Sequence, residues 1–151
     1  MDFKNDPNGN FTGAGITFDS GSNHLDDYEE GTVVATIAPG TSGTVTLNAS
    51  YDELQYTKVG NICHIQGQII TTSVSSPVGS NIQINLPFTA VSGTGKRSSI
   101  TISSFGLGGG STYTVHPNLI IEAGTVLYIY LDASTVQASD QFYIGGSYTT
   151  A

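Results

Sequence analysis

The chain has 151 residues, which is enough for one folded domain around a single core. Charged residues make up only 11% of it, and twelve acidic residues against four basic ones give a formal net charge of −8. Because phosphate backbones and anionic membrane surfaces are bound through Lys and Arg, we expect neither nucleic acid nor a membrane as a partner. With 19 glycines and 38% hydrophobic residues, many of them β-branched, the composition predicts an all-β protein.

Residues 1–30 are rich in Asn, Asp, Gly and Ser, and they hold seven of the twelve acidic residues. Such a segment has too little apolar surface to fold by itself. We therefore predict an extended N-terminal arm at 1–30, followed by a β-sandwich domain at 31–151. The large apolar side chains of the arm are isolated from one another, and we expect them to anchor it to a partner: Phe3, Phe11, Phe18, Leu25 and Tyr28.

Short apolar alternations between turn signals predict ten strands after the arm. In chain order they lie at 32–38, 43–49, 56–59, 61–72, 81–86, 98–104, 112–115, 119–122, 126–131 and 141–149. The strand at 61–72 has the clearest pattern, with Cys63, Ile65, Gly67 and Ile69 on the inward face and His64, Gln66 and Gln68 on the outward face.

Turn residues separate the strands, for example Ser76-Pro77-Val78-Gly79 and the triple glycine at 108–110. The strand at 126–131 is apolar on both faces, which indicates a central position or an interface between copies. Tyr128 and Tyr130 lie on its second face, and they are the candidate contacts of such an interface. No segment has the periodicity of a helix.

Together these elements predict an antiparallel two-sheet, jelly-roll-like sandwich with an extended N-terminal arm. The single cysteine, Cys63, forms no internal disulfide and points inward, so we expect a buried structural thiol. Residues 1–20 contain no apolar stretch typical of a signal peptide. We therefore expect synthesis in a reducing cytosol.

No catalytic or cofactor motif is present, and the expectation is a protein that is not an enzyme and uses no cofactor. His24, His64 and His116 lack metal-ligand spacing. The carboxylates of the sandwich fall mostly at turns and strand ends, which gives no reason to predict the paired acids of a glycosidase. These carboxylates are Asp52, Glu53, Glu122, Asp132 and Asp140.

Four segments, in this order, resemble a family of bacteriophage virion proteins: LDDYEEGTVVATI, YTKVGNICHIQGQII, INLPF and FYIGGSYTTA. The resemblance covers roughly residues 14–151, and the family is similar to the terminal β-domain of phage tail fibres and related particle-surface proteins. An aromatic residue and a proline normally follow LDDYEEGT, whereas Val33, Val34 and Ala35 stand here.

The resemblance implies a non-enzymatic, trimeric module of the virion surface, made in the cytoplasm of a host bacterium. Met1 precedes the sandwich by only about thirty residues, which suits a short tether better than a long fibre. The first hypothesis is therefore a capsid decoration (cement) protein, whose arm binds the major capsid protein or another virion protein and which stabilises the head.

The alternative is a tail-fibre or tail-tip adhesin that binds a glycan or protein on the host surface, with Tyr113 and Tyr143 as candidate contacts. A secreted lectin or matrix protein would suit the same fold, although the missing signal peptide argues against it. A sandwich fold does not choose among these functions.

Overall fold

The computed structural model describes residues 16–17, 24–25, 28–93, 95–120 and 124–151. Within them the chain is all-β, and its only helical segments are two 3₁₀ turns, Leu107–Gly109 and Ala133–Thr135. In chain order the strands are β1 (Ile16–Thr17), β2 (His24–Leu25), β3 (Tyr28–Val34), β4 (Ile37–Pro39), β5 (Ser42–Leu47), β6 (Glu53–Val59), β7 (Ile62–Val78), β8 (Ile82–Asn85), β9 (Thr101–Phe105), β10 (Tyr113–Val115), β11 (Asn118–Ile120), β12 (Val126–Ile129) and β13 (Gln141–Thr149).

Strands β3 to β13 form two antiparallel sheets that share β7, which confirms the predicted two-sheet sandwich. The first sheet has the order β10-β9-β13-β7-β6-β3 and uses residues 62–70 of β7. The second has the order β11-β12-β8-β4-β5-β7 and uses residues 71–78. Strands β1 and β2 pair with each other as a separate two-stranded ribbon.

A single hydrophobic core lies between the two sheets, and the period-2 alternation of the strands fills it. The inward set predicted for the strand at 61–72 is confirmed, because Cys63, Ile65 and Ile69 are fully buried. Ile82 and Ile84 of β8 supply the matching side chains of the second sheet. Each buried aliphatic side chain of this kind contributes roughly 1.5–3 kcal/mol of transfer free energy.

Strand β7 continues through Ser76 and Pro77 and ends at Val78, whereas the sequence predicted a turn over residues 76–79. The chain bends only at Gly79 and Ser80. This half of β7 is the edge of the second sheet, with no strand on its outer side. Pro77 lacks a backbone N–H, and it is tolerated because an edge strand needs no hydrogen bond on that side. The register with β5 shifts between Ser42 and Thr44, opposite Ser76 and Pro77. Gly43, at φ 89°, allows that irregularity, since a Cβ there would lie 2.2 Å from the Ser76 carbonyl oxygen.

The point where β7 passes from one sheet to the other is fixed by Thr71, a buried polar residue. Its hydroxyl donates to the Gln137 carbonyl and accepts from the Asp140 N–H at 2.9 Å. Its backbone N–H donates to the Asp140 carbonyl at 2.9 Å, and its carbonyl accepts from Ser139 N–H at 2.9 Å. Every hydrogen-bonding group of this residue therefore holds the loop that leads into β13.

A second connection between the sheets runs from β10 to β11 and contains His116, which is 7% exposed. Its Nε2 lies 2.6 Å from the Ser104 hydroxyl of β9, and its backbone N–H donates to the Ile102 carbonyl. Burial lowers the pKa of this imidazole from its ordinary value of 6.5. The ring therefore remains neutral in the folded protein at a pH where a free histidine begins to take a proton.

Two strand boundaries differ from the prediction at the start of the sandwich. The segment at 32–38 divides into the end of β3 and the separate strand β4, which belong to different sheets. Ala35, between them, is buried and donates its N–H to the Asp52 carbonyl. Strand β3 begins at Tyr28, so residues 28–30 of the predicted arm are part of the first sheet.

Replacing Thr71 with valine keeps the shape of the side chain but removes the hydroxyl that the Asp140 N–H and the Gln137 carbonyl need. We expect Thr71→Val to lower the free energy of unfolding by about 1–3 kcal/mol, because these buried groups lose their partner. The matched control is Thr72→Val on the exposed side of the same strand, which should change stability by no more than about 0.5 kcal/mol. Urea unfolding followed by circular dichroism measures both, and equal effects would contradict the role given to Thr71.

The lowered pKa of His116 predicts a loss of stability in mild acid. As the pH falls through 6.5 the unfolded chain takes up a proton at this residue while the folded chain resists it, so protonation favours unfolding. Above that pH both states leave the imidazole neutral, and this residue no longer favours unfolding. We expect His116→Gln, which keeps a side-chain nitrogen near Ser104, to show a smaller loss of unfolding free energy between neutral and mildly acidic pH than the wild type.

The control for this pH series is His64→Gln, which changes an exposed histidine on the other side of the first sheet. It should retain the wild-type pH dependence. Burial raises the pKa of the Asp140 carboxyl group, so protonation of this residue favours the folded state. Because the wild type and both variants contain Asp140, its contribution to the pH dependence is the same in all three. An unchanged pH profile in His116→Gln would show that the imidazole does not cause the acid sensitivity.

Candidate functional site

The outer face of the first sheet is the candidate functional surface of the described residues. We use this name for the side chains of β3, β6, β7, β13, β9 and β10 that point away from the core. Strand registers align them in rows across the sheet. Its central members are amide, hydroxyl, imidazole and aromatic groups: Thr32, Gln55, Thr57, His64, Gln66, Gln68, Ser103, Phe105, Tyr113, Gln141, Tyr143 and Ser147.

Three side chains of this face form a closed hydrogen-bonded triangle. The Tyr143 hydroxyl donates to Gln141 Oε1 at 2.6 Å, and Gln68 Nε2 donates to the same oxygen at 3.0 Å. Gln68 Nε2 also lies 3.3 Å from the Tyr143 hydroxyl, which accepts from it. In the next row Gln66 Nε2 donates to Gln55 Oε1 at 3.2 Å. These bonds fix the amide groups in one orientation, so the face is organised before any ligand arrives.

Three aromatic rings continue the face towards the edge strand β10. Tyr113 lies with its ring centroid 5.0 Å from that of Phe105 and 5.9 Å from that of Tyr143, at tilts of 43° and 49°. It is 69% exposed, an unusual position for so large a ring. Partial burial and the hydrogen-bonding neighbour Tyr113 raise the pKa of Tyr143, so its hydroxyl remains a proton donor at neutral pH.

A shallow depression of about 400 Å³ lies at the end of the outer face that is farther from β10. It crosses β3, β6 and β7 and is lined by Glu30, Gly31, Thr32, Gln55, Tyr56, Thr57, His64 and Gln66. His64, which the sequence placed on the outward face of its strand, is exposed, and its Nδ1 lies 3.1 Å from the Ser147 hydroxyl.

Charge on the described part of the outer face is sparse and acidic. Its carboxylates are Glu30 and Glu53, which flank the row of Gln55. Lys58 points the other way, into a partly buried cluster where its Nζ lies 5.5 Å from the Phe88 ring centroid and 3.9 Å from Glu29 Oε1. Lys96 and Arg97 lie in the connection between β8 and β9. This surface is therefore suited to uncharged ligand groups and poorly suited to anions.

The residues predicted to anchor the arm are described only in part. Phe3, Phe11 and Phe18 lie outside the described residues, and Leu25 is described only through the pairing of its backbone with Ile16. Tyr28 lies on β3, 56% exposed, and its hydroxyl donates to Glu30 Oε2 at 2.6 Å. That bond and the carboxylate charge raise the pKa of Tyr28. Anchoring by the arm stays a prediction.

The two tyrosines predicted for a trimer interface belong to the other sheet. Tyr128 of β12 is half-buried opposite Gln83 and Leu119, and Tyr130 follows the strand at 44% exposure. Neither contributes to the outer face of the first sheet. The homotrimer that they were expected to form stays a prediction.

The structure brings together Tyr113 and Tyr143, both named as adhesin candidates, and adds residues that sequence reasoning missed. Gln55, Gln141 and Phe105 share the face but come from strands far apart in the chain. The sequence shows that these residues point outward, because outward positions recur at every second residue of a strand. It does not show that β13 pairs with both β7 and β9, so it could not predict that these side chains are neighbours.

The fold of this chain is similar to that in the crystal structure of the Dettilon tailspike protein. The likeness has a TM-score of 0.51 at 21% sequence identity and covers 81% of this chain. The chain spans 24% of the length of that tailspike. It shows that the same sandwich architecture occurs as one part of a larger protein.

No protein-family model matches the sequence, and no curated protein does. Within the described ranges, no group of three or more His, Cys, Asp or Glu side chains is placed to hold a metal ion. The same residues include no helix long and apolar enough to cross a membrane.

The aromatic cluster predicts a stability difference between two exposed tyrosines. Tyr113→Ala removes ring contacts with Phe105 and Tyr143, and we expect it to lower the unfolding free energy by about 0.5–1.5 kcal/mol beyond the loss of buried area. Tyr51→Ala removes a ring that is 48% exposed and lies outside the cluster. Thermal unfolding of the two variants compares them, and a cost for Tyr113→Ala no larger than that for Tyr51→Ala would contradict the stacking.

Proposed function

We propose that this chain is a bacteriophage virion protein of the tail, and that the outer face of the first sheet contacts the surface of the host cell. The observation that carries the proposal is the preorganised set of Gln68, Gln141 and Tyr143 beside the exposed ring of Tyr113. Amide and aromatic groups held in fixed positions on an open surface are typical of a binding face rather than of a solvated one.

The likeness to the Dettilon tailspike supports a place in the tail. The resemblance of the LDDYEEGT and YTKVGN segments to virion surface proteins points to the same kind of particle. Both are consistent with a terminal module whose free face meets the host. Fold likeness by itself assigns no function, so the proposal depends on the face.

We propose a binding role without catalysis. Hydrolysis of a glycoside needs two carboxyl groups roughly 5–9.5 Å apart. Among the residues that the structure describes, the carboxylates of the outer face belong to Glu30 and Glu53, and the partner of Glu30, Thr57, is four residues from Glu53 along β6. At the rise of a strand this separates their rows by roughly 13 Å. That spacing suits a surface that holds its ligand without cleaving it.

Capsid decoration remains the competing hypothesis. It depends on the arm residues Phe3, Phe11 and Phe18, which lie outside the described residues. The described part of the chain offers that hypothesis no feature comparable to the outer face. The position of the chain in the particle decides between the two hypotheses, because a decoration protein covers the head and an adhesin lies at the tail.

Competition with the phage tests the proposed function. The purified chain, added to host cells before the phage that carries it, should reduce adsorption by occupying the same receptors. We expect Tyr113→Ala to need about tenfold more protein for the same reduction, since one contact of the face is lost. Tyr51→Ala, outside the face, should compete like the wild type.

A cryo-EM reconstruction of the same particle provides the independent measurement. Density for the sandwich at the tail is the expected result. Density on the head, together with a failure to compete for adsorption, would overturn the proposal and favour decoration.

A further inference from the structure

Gly145, in the middle of β13, is a glycine without a structural reason. Its φ angle lies outside the left-handed region, and a Cβ built on it would meet no atom within 4 Å. The register continues regularly across it, with Gln66 on one side and Thr101 on the other, so it marks no bulge. Glycine weakens the interior of a strand, because it offers no side chain to pack and costs more backbone entropy.

Two nearby glycines, Gly146 on the same strand and Gly67 on β7, differ from Gly145 because their surroundings or backbone conformation oppose a side chain. Gly146 has a φ of 152°, and a Cβ there would lie 2.9 Å from the Ile100 Cβ. A Cβ on Gly67 would lie 2.8 Å from Leu54 Cδ2 in the core. At Gly146 the backbone conformation and at Gly67 the packing of the core therefore disfavour a side chain. Gly145 differs because no atom of the protein occupies the space that its side chain would fill, and this space is open on the outer face.

We propose that the bare backbone of Gly145 is the floor of a binding site for an uncharged sugar ring. A glycine in a regular strand is expected where a ligand must approach the backbone closely. The inference rests on the proposed function and names the ligand class of that face. Tyr143 and Ser147 are the residues two before and two after it on the same face, and its cross-strand neighbours are Gln66 on β7 and Thr101 on β9. The Tyr143 hydroxyl is bonded to Gln141, on the side away from Gly145.

The groups around this floor determine the ligand class. Tyr143 offers a ring face for the C–H side of a pyranose, while Gln66 and Ser147 offer donors and acceptors for its hydroxyl groups. His64, bonded to Ser147, adds an imidazole beside the depression. The charged groups of the described face nearby are the carboxylates of Glu30 and Glu53, in a chain of net charge −8. A neutral sugar is therefore favoured over an acidic one.

Binding to the full 151-residue chain is measured by NMR, with the methyl pyranosides of glucose, galactose, mannose and N-acetylglucosamine as probes and methyl glucuronoside as the acidic comparison. We expect at least one neutral probe to shift the amide resonances of Gly145 and Gln66 in a saturable way. The glucuronoside should bind about tenfold more weakly or not at all. A preference for the acidic probe, or no response to any neutral one, would overturn the proposal.

Gly145→Val then separates a ligand site from a structural position. Because the space is open and valine suits a strand, the variant should unfold at the same or a higher temperature than the wild type. Its Kd for the neutral probe should nevertheless rise by about tenfold or more, since the side chain occupies the floor. Thr149→Val, on the same strand and face four residues away, is the matched control and should bind like the wild type.

Two further outcomes distinguish this inference from the proposed function. If Gly145→Val binds the sugar normally but changes the oligomeric mass in solution, the floor serves contact with another copy and the sugar site is wrong. If Gly145→Val competes for phage adsorption as well as the wild type, the chain binds its host elsewhere, which overturns the site and leaves the adhesin function standing. Sugar binding lost in Gly145→Val, in a chain that never competes, would support the site and overturn the adhesin function.

Discussion

The sandwich depends on one strand that belongs to both of its sheets. Strand β7 has seventeen residues, and Thr71 marks the point at which its pairing with β13 ends and its pairing with β5 begins. A buried hydroxyl is stable there only because it accepts from the Asp140 N–H and donates to the Gln137 carbonyl. The loop before β13 is thereby fixed to the corner of β7, and the position of β13 in the first sheet follows.

The functional face depends on that placement of β13. Between β7 and β9, this strand brings Gln141 and Tyr143 next to Gln68 on one side and next to Phe105 and Ser103 on the other. The core side of the same strand carries Phe142 and Ile144, both buried. One strand therefore anchors the sandwich through one set of alternate residues and contributes to the proposed binding face through the other set. Mutations on the two sides are expected to separate stability from binding.

The same alternation explains why the face carries so little charge. Lys58, the one lysine of β6, points into the sandwich, where the Phe88 ring and Glu29 lie close to its ammonium group. The outward positions of the central strands hold amides and hydroxyls instead, which bind by short-range hydrogen bonds and do not attract polyanions. The proposed contact with a host cell would therefore rest on hydrogen bonds and ring contacts rather than on charge, in a chain of net charge −8.

The sequence by itself determined the all-β class, most of the strands and the inward or outward direction of their side chains, because a period of two is a local property of the chain. It placed Cys63, Ile65 and Ile69 inside and His64, Gln66 and Gln68 outside, as the structure does. It failed at residues 76–78, which belong to β7, because proline and glycine signal a turn in any local pattern, and only the edge position of β7 makes Pro77 compatible with a strand. The tertiary structure alone decided which strands are neighbours. Tyr113 and Tyr143, or Gln68 and Gln141, meet through pairing between segments far apart in the chain, and no local pattern encodes that pairing.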